Sequence, residues 1–185
     1  MKRIKYEGWG KLSLTFALSI YSLIVAIITH NSGIFAAMFS STGGDIEIMA
    51  SRDALGTGKD KTRFTKGVVF FSTAHFLYVL SMARETKDWI IIVGLELVIF
   101  LAICAIAYAT NFKSTTILNV CYAMCLLLAT INAWRFSVIA GVGYVSFAIS
   151  DIILIAKEDK EPWWQIPIWF FYVLGQILII TSFTQ

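Results

Sequence analysis

Seven apolar stretches, at about 12–29, 33–50, 64–83, 89–109, 115–134, 138–156 and 163–183, follow one another along a chain of 185 residues. Each comes close to the roughly 20 residues needed to cross the hydrocarbon core of a bilayer. Inside lipid the backbone N–H and C=O groups must bond within their own segment, so such stretches fold as helices. Composition agrees with that reading. Hydrophobic residues make up 58% and charged residues 15% of the chain, and the mean hydropathy is +0.75, whereas a soluble domain carries about 25% charge. The expectation is an all-α, polytopic transmembrane helix bundle of about seven spans, with eight possible, forming a single integral membrane domain over residues 1–185. The second stretch, rich in Ser, Thr and Gly, is the least apolar. The first has a basic flank (Lys2, Arg3, Lys5, Lys11) like that of a signal peptide. Its apolar run is longer than an h-region and no clear cleavage site follows, so it reads as a span.

Basic residues set the orientation. With the N-terminus in the cytoplasm, the inner segments hold Lys2, Arg3, Lys5 and Lys11, then Arg52, Lys59, Lys61, Arg63 and Lys66, then Lys113, then Lys157 and Lys160. That is 12 of the 15 Lys and Arg residues; Arg84, Lys87 and Arg135 are left outside. This bias is the positive-inside pattern, and it predicts a multi-pass protein of the cell (plasma) membrane with a cytoplasmic N-terminus and an external C-terminus. It also supports the weak second span, whose removal would put the 52–66 basic loop outside. Trp9, Trp89, Trp134, Trp163, Trp164 and Trp169 mostly mark span ends, as an aromatic belt does. The one long loop, about 51–63, is Gly- and charge-rich and is expected to be mobile. Because the basic residues gather at span ends, the net charge of +3 carries no indication of nucleic-acid binding. Cys104, Cys121 and Cys125 lie in apolar runs without a CxxC and read as small buried hydrophobes.

Carboxylates inside such helices stand out. An Asp at the middle of a membrane helix costs about 2.5–3.5 kcal/mol on insertion scales, so those that occur usually have a function. Here the pattern occurs twice. Ser41-Thr-Gly-Gly-Asp45 precedes a span containing His75 and Tyr78, and Phe147-Ala-Ile-Ser150-Asp151 precedes one containing Tyr172 and Gln176. Aligning Phe71 with Tyr172 aligns His75 with Gln176. Four spans separate the copies, so both run in the same direction, as in a parallel 3+1+3 duplication. Its parts are repeat A (about 12–83), a linker helix (about 89–109) and repeat B (about 115–183). Counting residues inward from the cytoplasmic ends puts His75 and Tyr122 at roughly 12 Å, Gln176 at roughly 15 Å, and Asp45 and Asp151 at roughly 8 Å. Asp45, Asp151, His75 and Gln176 are therefore expected to line one cavity in the cytoplasmic half, with Glu96, near the outer end of span 4, belonging elsewhere.

At these residues the chain resembles the YhhN family of multi-pass membrane proteins. Ser41, Gly44 and Asp45 match a Ser-x-x-Gly-Asp block. Phe64, Gly67, His75 and Tyr78 match the next block. Gly143, Phe147, Ser150 and Asp151 match the approach to Ser-Asp, and Tyr172, Gln176, Leu178 and Ile179 match the closing block. The order and spacing of these blocks, from about 40 to 183, carry the resemblance. Glu47 departs from a usually apolar position, Gly175 replaces a common Ala, and family members are usually longer, with eight spans.

The resemblance implies a lysoplasmalogenase-like ether hydrolase, acting on a lysophospholipid within membrane lipid and releasing a fatty aldehyde and a glycerophospho-head-group alcohol. Asp45 and Asp151 would be catalytic. His75, Tyr78, Tyr122, Ser150, Tyr172 and Gln176 would support them and position the substrate. The chemistry suits these residue types. A vinyl ether is cleaved by protonating its β-carbon and adding water to the resulting oxocarbenium ion. A buried carboxyl group that keeps its proton can deliver it, while a second, ionised carboxylate steadies the cation and activates water; glycosidases divide the labour between two carboxyl groups in a similar way. No cofactor or metal is called for, and no residues show metal-ligand spacing. Taken alone, the same residues also fit plainer roles: Asp side chains cross-linking helices, a His bonded to a neighbouring helix, Tyr residues packing with a satisfied hydroxyl. Two other functions fit the same helices: a proton-coupled small-molecule transporter, in which an Asp carries the coupled proton, and a non-catalytic lipid-binding membrane protein.

Overall fold

Among the described residues seven α-helices follow in order: α1 Lys2–Ile28, α2 Ser32–Asp53, α3 Lys61–Ala83, α4 Trp89–Ala109, α5 Thr116–Phe136, α6 Val138–Lys157 and α7 Gln165–Thr181, closed by a short 3-10 turn at Ser182–Thr184. The structure is a computed structural model that describes residues 2–53, 61–83, 89–110, 116–157 and 164–185, and among the described residues every regular element is helical. Most of the expected 51–63 loop lies outside the described residues. So do Lys59, Arg84, Lys87, Lys113, Lys160 and Trp163, together with the side chains of Lys2, Arg3, Lys5, Trp9, Arg52, Lys61, Trp89 and Lys157.

Four segments, Gly10–Ile28, Thr62–Ala83, Ile117–Phe136 and Gln165–Thr184, are long and apolar enough to cross a membrane, and α4 and α6 hold shorter apolar runs, Ile90–Ile106 and Val138–Leu154. The side chains are distributed inside out relative to a soluble protein. Ile20, Ile27, Ile90, Ile91, Val98, Ile152 and Ile166 point outward, while Thr15, Ser22, Ser41, Ser51, Ser72, Glu96 and Asn132 are fully buried. Lipid accepts an apolar exterior at no cost but leaves a polar group unsatisfied, so the hydrogen-bonding side chains turn inward. Many of them bond the carbonyl one turn back on their own helix, as Ser72 Oγ does to Val68 O (2.8 Å) and Thr130 Oγ1 to Leu126 O (2.7 Å). The second helix is thereby explained: its Ser40, Ser41, Thr42, Asp45 and Ser51 side chains are buried. This is a polytopic helical bundle.

The tightest neighbours are α2 with α3 and α6 with α7, while α4 packs on α3 and α5. Small residues let the backbones of the close pairs approach, the usual means of helix association in lipid. On α6 and α7, a Cβ at Gly143 would lie 3.0 Å from Gly175 O, and one at Gly175 would lie 2.8 Å from Gly143 O. The two close pairs are also pinned by corresponding hydrogen bonds. Ser40 Oγ donates to Phe70 O at 2.8 Å, and Ser146 Oγ donates to Phe171 O at 3.1 Å. Ser40 and Ser146 each stand five residues before an Asp, and Phe70 and Phe171 immediately precede the aligned Phe71 and Tyr172.

Two sharp reversals keep the far ends of the helices in register. Between α1 and α2, His30 adopts a left-handed φ of 53°, and Asn31 Oδ1 accepts the Gly33 N–H at 3.2 Å. Between α5 and α6 the single residue Ser137 serves as N-cap, its Oγ accepting the Ala140 N–H at 3.0 Å.

Candidate active site

The site lies at the end of the bundle where α1, α3, α5 and α7 begin and α2 and α6 end. Helical periodicity aims each contributor. On α3, Phe64, Val68, Phe71, His75 and Tyr78 recur at intervals of three and four and share one inner face. On α2, Ser41 and Asp45 are one turn apart, as are Asn119 and Tyr122 on α5 and Tyr172 and Gln176 on α7. These faces enclose a cavity of about 70 Å³, lined by Asp45, Ile48, Met49, Phe64, Val68, Phe71, Asn119, Tyr122, Ser150, Asp151, Leu154, Ile168, Trp169 and Tyr172. Since one water needs about 10–15 Å³ on such a measure, there is room for a few waters or for the reacting atoms of a ligand.

Both carboxylates face this cavity, and each is held by a tyrosine from another helix. Tyr172 Oη donates to Asp45 Oδ2 at 2.7 Å, and Tyr122 Oη donates to Asp151 Oδ2 at 2.5 Å. The first bond joins α7 to α2, the second α5 to α6. Ser150 sits on the same wall but is committed to scaffolding, its Oγ donating to Ile168 O at 2.9 Å.

His75 stands one layer behind. Its Nε2 is 3.2 Å from Tyr122 Oη, and it is enclosed by the rings of Tyr122, Tyr144 and Phe147, whose centroids lie 5.6, 5.6 and 5.1 Å away. Tyr122 has one proton to give. While it gives that proton to Asp151, its oxygen must accept from His75, which fixes the Nε2–H tautomer and leaves Nδ1 as the acceptor. That Nδ1 is buried without a hydrogen-bond partner, as is the neighbouring Tyr144 hydroxyl. With one proton added and His75 in its Nδ1–H tautomer, both bonds reverse, so that Asp151 donates to Tyr122 and Tyr122 donates to His75 Nε2. The three residues thus form a hydrogen-bonded chain that accommodates Asp151 in either protonation state.

The remaining two expected residues also lie behind the wall. Tyr78 Oη donates to Gln176 Oε1 at 3.0 Å, and Gln176 Nε2 reaches Ser41 Oγ at 3.5 Å, so this amide ties α3, α7 and α2 together. Of the eight residues singled out from the sequence, Asp45, Asp151, Tyr122, Ser150 and Tyr172 line the cavity, while His75, Tyr78 and Gln176 do not. His75 and Gln176 were expected on the cavity wall. Counting along a helix gives depth but not azimuth, and the tyrosines and Phe71 occupy the space in front of them.

Asn119 and Trp169 line the cavity without having been singled out. A signal existed, since each lies three residues before a tyrosine already chosen and therefore on the same helix face. Glu96 is away from the cavity and fully buried, with the Cys125 thiol donating to its Oε1 at 3.0 Å. Cys125 is therefore more than an apolar filler. Among the described residues, no three His, Cys, Asp or Glu side chains group as metal ligands.

A helical bundle with outward apolar faces and two carboxylates directed into one internal cavity defines an integral membrane protein with an embedded acidic site. The chain belongs to the YhhN family, which it matches over residues 9–183. Comparison with curated proteins and with solved structures gave no match.

Proposed function

We propose that the protein is a membrane-embedded hydrolase that cleaves the vinyl ether bond of lysoplasmalogens to a fatty aldehyde and a glycerophospho-head-group alcohol. The observation that carries this reading is that Asp45 and Asp151, each oriented by a tyrosine hydroxyl, face the same mostly apolar cavity. Ile48, Met49, Val68, Leu154 and Ile168 suit the first methylenes of a chain, and the carboxyl groups suit its reactive end.

In this reading Asp151 is the acid, because Tyr122 can accept the hydrogen bond of its protonated form while donating its own proton to His75 Nε2. Asp151 delivers a proton to the β-carbon and the double-bond electrons form the new C–H bond, leaving an oxocarbenium ion. Ionised Asp45 steadies that cation and takes a proton from the water that adds to it. The hemiacetal then collapses: its hydroxyl loses a proton, the C–O bond to glycerol breaks, and the departing oxygen is protonated. One water is consumed, and the proton that Asp45 took returns to Asp151 across the cavity they share, so that no net proton is gained or lost and both carboxyl groups regain their starting states. The scaffold is a parallel duplication, a reading supported by the corresponding Ser40–Phe70 and Ser146–Phe171 bonds, and the site opens towards the cytoplasmic leaflet of the plasma membrane.

The test is aldehyde release from a lysoplasmalogen by the purified chain in detergent. Release that depends on Asp45 and Asp151 is expected; its absence from folded protein would end the hydrolase reading. One observation favours proton-coupled transport instead. A polar cleft at the opposite end of the bundle is lined by Asn31, Ser81, Ser137 and Ser182, so both ends have an opening. A carrier would be inactive in detergent and active only between two compartments.

A further inference from the structure

We infer that Lys11 is the anchor for the phosphodiester of a single-chain phospholipid, holding it at the rim of the Asp45–Asp151 cavity. Its choice of ligand rests on the proposed lysophospholipid reading; its geometry does not. The Lys11 ammonium donates to Gln165 Oε1 at 2.8 Å and lies 5.5 Å from the centroid of the Trp169 ring, within the roughly 6 Å over which a cation is attracted to an aromatic face. Both contacts are with the first turns of α7. Trp169 itself lines the cavity, its ring centroid is 5.2 Å from that of Tyr172, and the Tyr172 hydroxyl is bonded to Asp45 at 2.7 Å. A continuous line of contacts therefore runs from a fixed cation to a carboxylate at the inner end.

Electrostatics explains why such a cation is needed. A phosphodiester is an anion, and one drawn in beside two carboxyl groups in a low-dielectric cavity would be repelled by whichever is ionised. The site can accept an anionic lipid only if the phosphate stops short of the carboxylates and is neutralised there. The flexible apolar stem of Lys11 can lie along apolar surface while its ammonium stays polar-bonded to Gln165. The other described cations at this end, Arg63 and Lys66, are both exposed on α3. A lysophospholipid would place its phosphate at Lys11, its glycerol beside Trp169 and Tyr172, and the first carbons of its chain between Asp45 and Asp151.

The experiment measures binding, so that it stands apart from catalysis. The full chain in neutral detergent is titrated, by tryptophan fluorescence, with a saturated 1-O-alkyl lysophospholipid, with the 1-O-alkylglycerol of the same chain length, and with inorganic phosphate. Neither lipid has a vinyl ether to cleave. Wild type is expected to bind the phospholipid at least about tenfold more tightly than the alkylglycerol, the scale of one charged hydrogen bond, and that ratio should shrink as salt is raised. Lys11→Gln should bring the ratio to about one with the alkylglycerol affinity unchanged, and Lys11→Arg should largely restore it. Equal binding of the two lipids by wild type would overturn the inference, as would a ratio that survives in Lys11→Gln. Displacement of the phospholipid by inorganic phosphate at millimolar concentration would also overturn it, since the site would then be one for free phosphate. If Lys11→Gln fails to fold, the salt dependence of the wild-type ratio decides the question. A wild-type chain that shows the ratio yet releases no aldehyde from lysoplasmalogen would keep the anchor and lose the hydrolase.

Discussion

The Tyr122 hydroxyl reaches from α5 to Asp151 Oδ2 on α6 across 2.5 Å while its oxygen lies 3.2 Å from His75 Nε2 on α3. One phenol therefore joins three helices and stands between a cavity-lining carboxyl group and a buried imidazole. Its ring adds packing, and only its oxygen connects the two titratable groups.

Tyr122→Phe removes that oxygen and keeps the ring. The variant is expected to insert and fold, with stability lower by about 1–3 kcal/mol because the buried His75 and the half-buried Asp151 lose their shared partner. Turnover of lysoplasmalogen should fall about 10–100-fold, as befits the loss of a positioned proton-transfer partner. His75→Gln is the graded companion, since Gln can still hydrogen-bond Tyr122 but cannot exchange protons as imidazole does. Retained activity there would make His75 an orienting residue, and a loss comparable to that of the Asp variants would make it a proton carrier. Steady-state rates on detergent-solubilised protein, alongside thermal denaturation, separate these outcomes.

Asp45→Asn and Asp151→Asn preserve shape and remove an ionisable proton. Each should leave the protein membrane-inserted and reduce kcat by at least about 10²-fold, the lower range for general acid–base catalysis. KM should change much less, because chain and head group supply most of the binding. Near-wild-type kcat in both variants would make the carboxylates structural.

Gly175→Ala tests the α6–α7 contact. The added methyl would lie 2.8 Å from Gly143 O and 3.0 Å from Phe147 N, both backbone atoms that cannot swing aside. The helices must part by a few tenths of an ångström, and a loss of about 1–3 kcal/mol is expected, as for other overpacked cores. A thermal midpoint equal to wild type would mean that the two helices have slack at this point.

The orientation is testable without any enzymology. Tags at the two ends, probed by protease in intact cells, should find the N-terminus protected and the C-terminus cleaved. A protected C-terminus would require an even number of crossings, and the site would then need reassigning with respect to its leaflet.

Much of this molecule could be read from its residues one helix at a time. Helix positions were legible because length and hydropathy are local properties, and a chain in lipid has no alternative to internal hydrogen bonding. The expected 64–83 and 115–134 became Lys61–Ala83 and Thr116–Phe136. Asp45 and Asp151 could be found because a carboxyl group in an apolar run is costly wherever it then points. Azimuth was less legible. His75 and Gln176 were placed at the right end of the bundle but on the wrong layer, because rise per residue measures depth and says nothing of what neighbouring helices put in front.

That this is a bundle of membrane helices with two embedded acids follows from the residues alone, since each of those features depends on the free energy of single segments in lipid. The partnerships do not follow from it and come from how the helices pack. Asp45 is held by Tyr172 from the far end of the chain and Asp151 by Tyr122 from α5. The Gln176 amide acts as a tie rather than a wall, and Lys11, on the first helix, sits over a ring of the last. Those pairings depend on how closely α2 meets α3 and α6 meets α7. That closeness is set by side chains such as Gly143 and Gly175, whose effect appears only when both helices are in place.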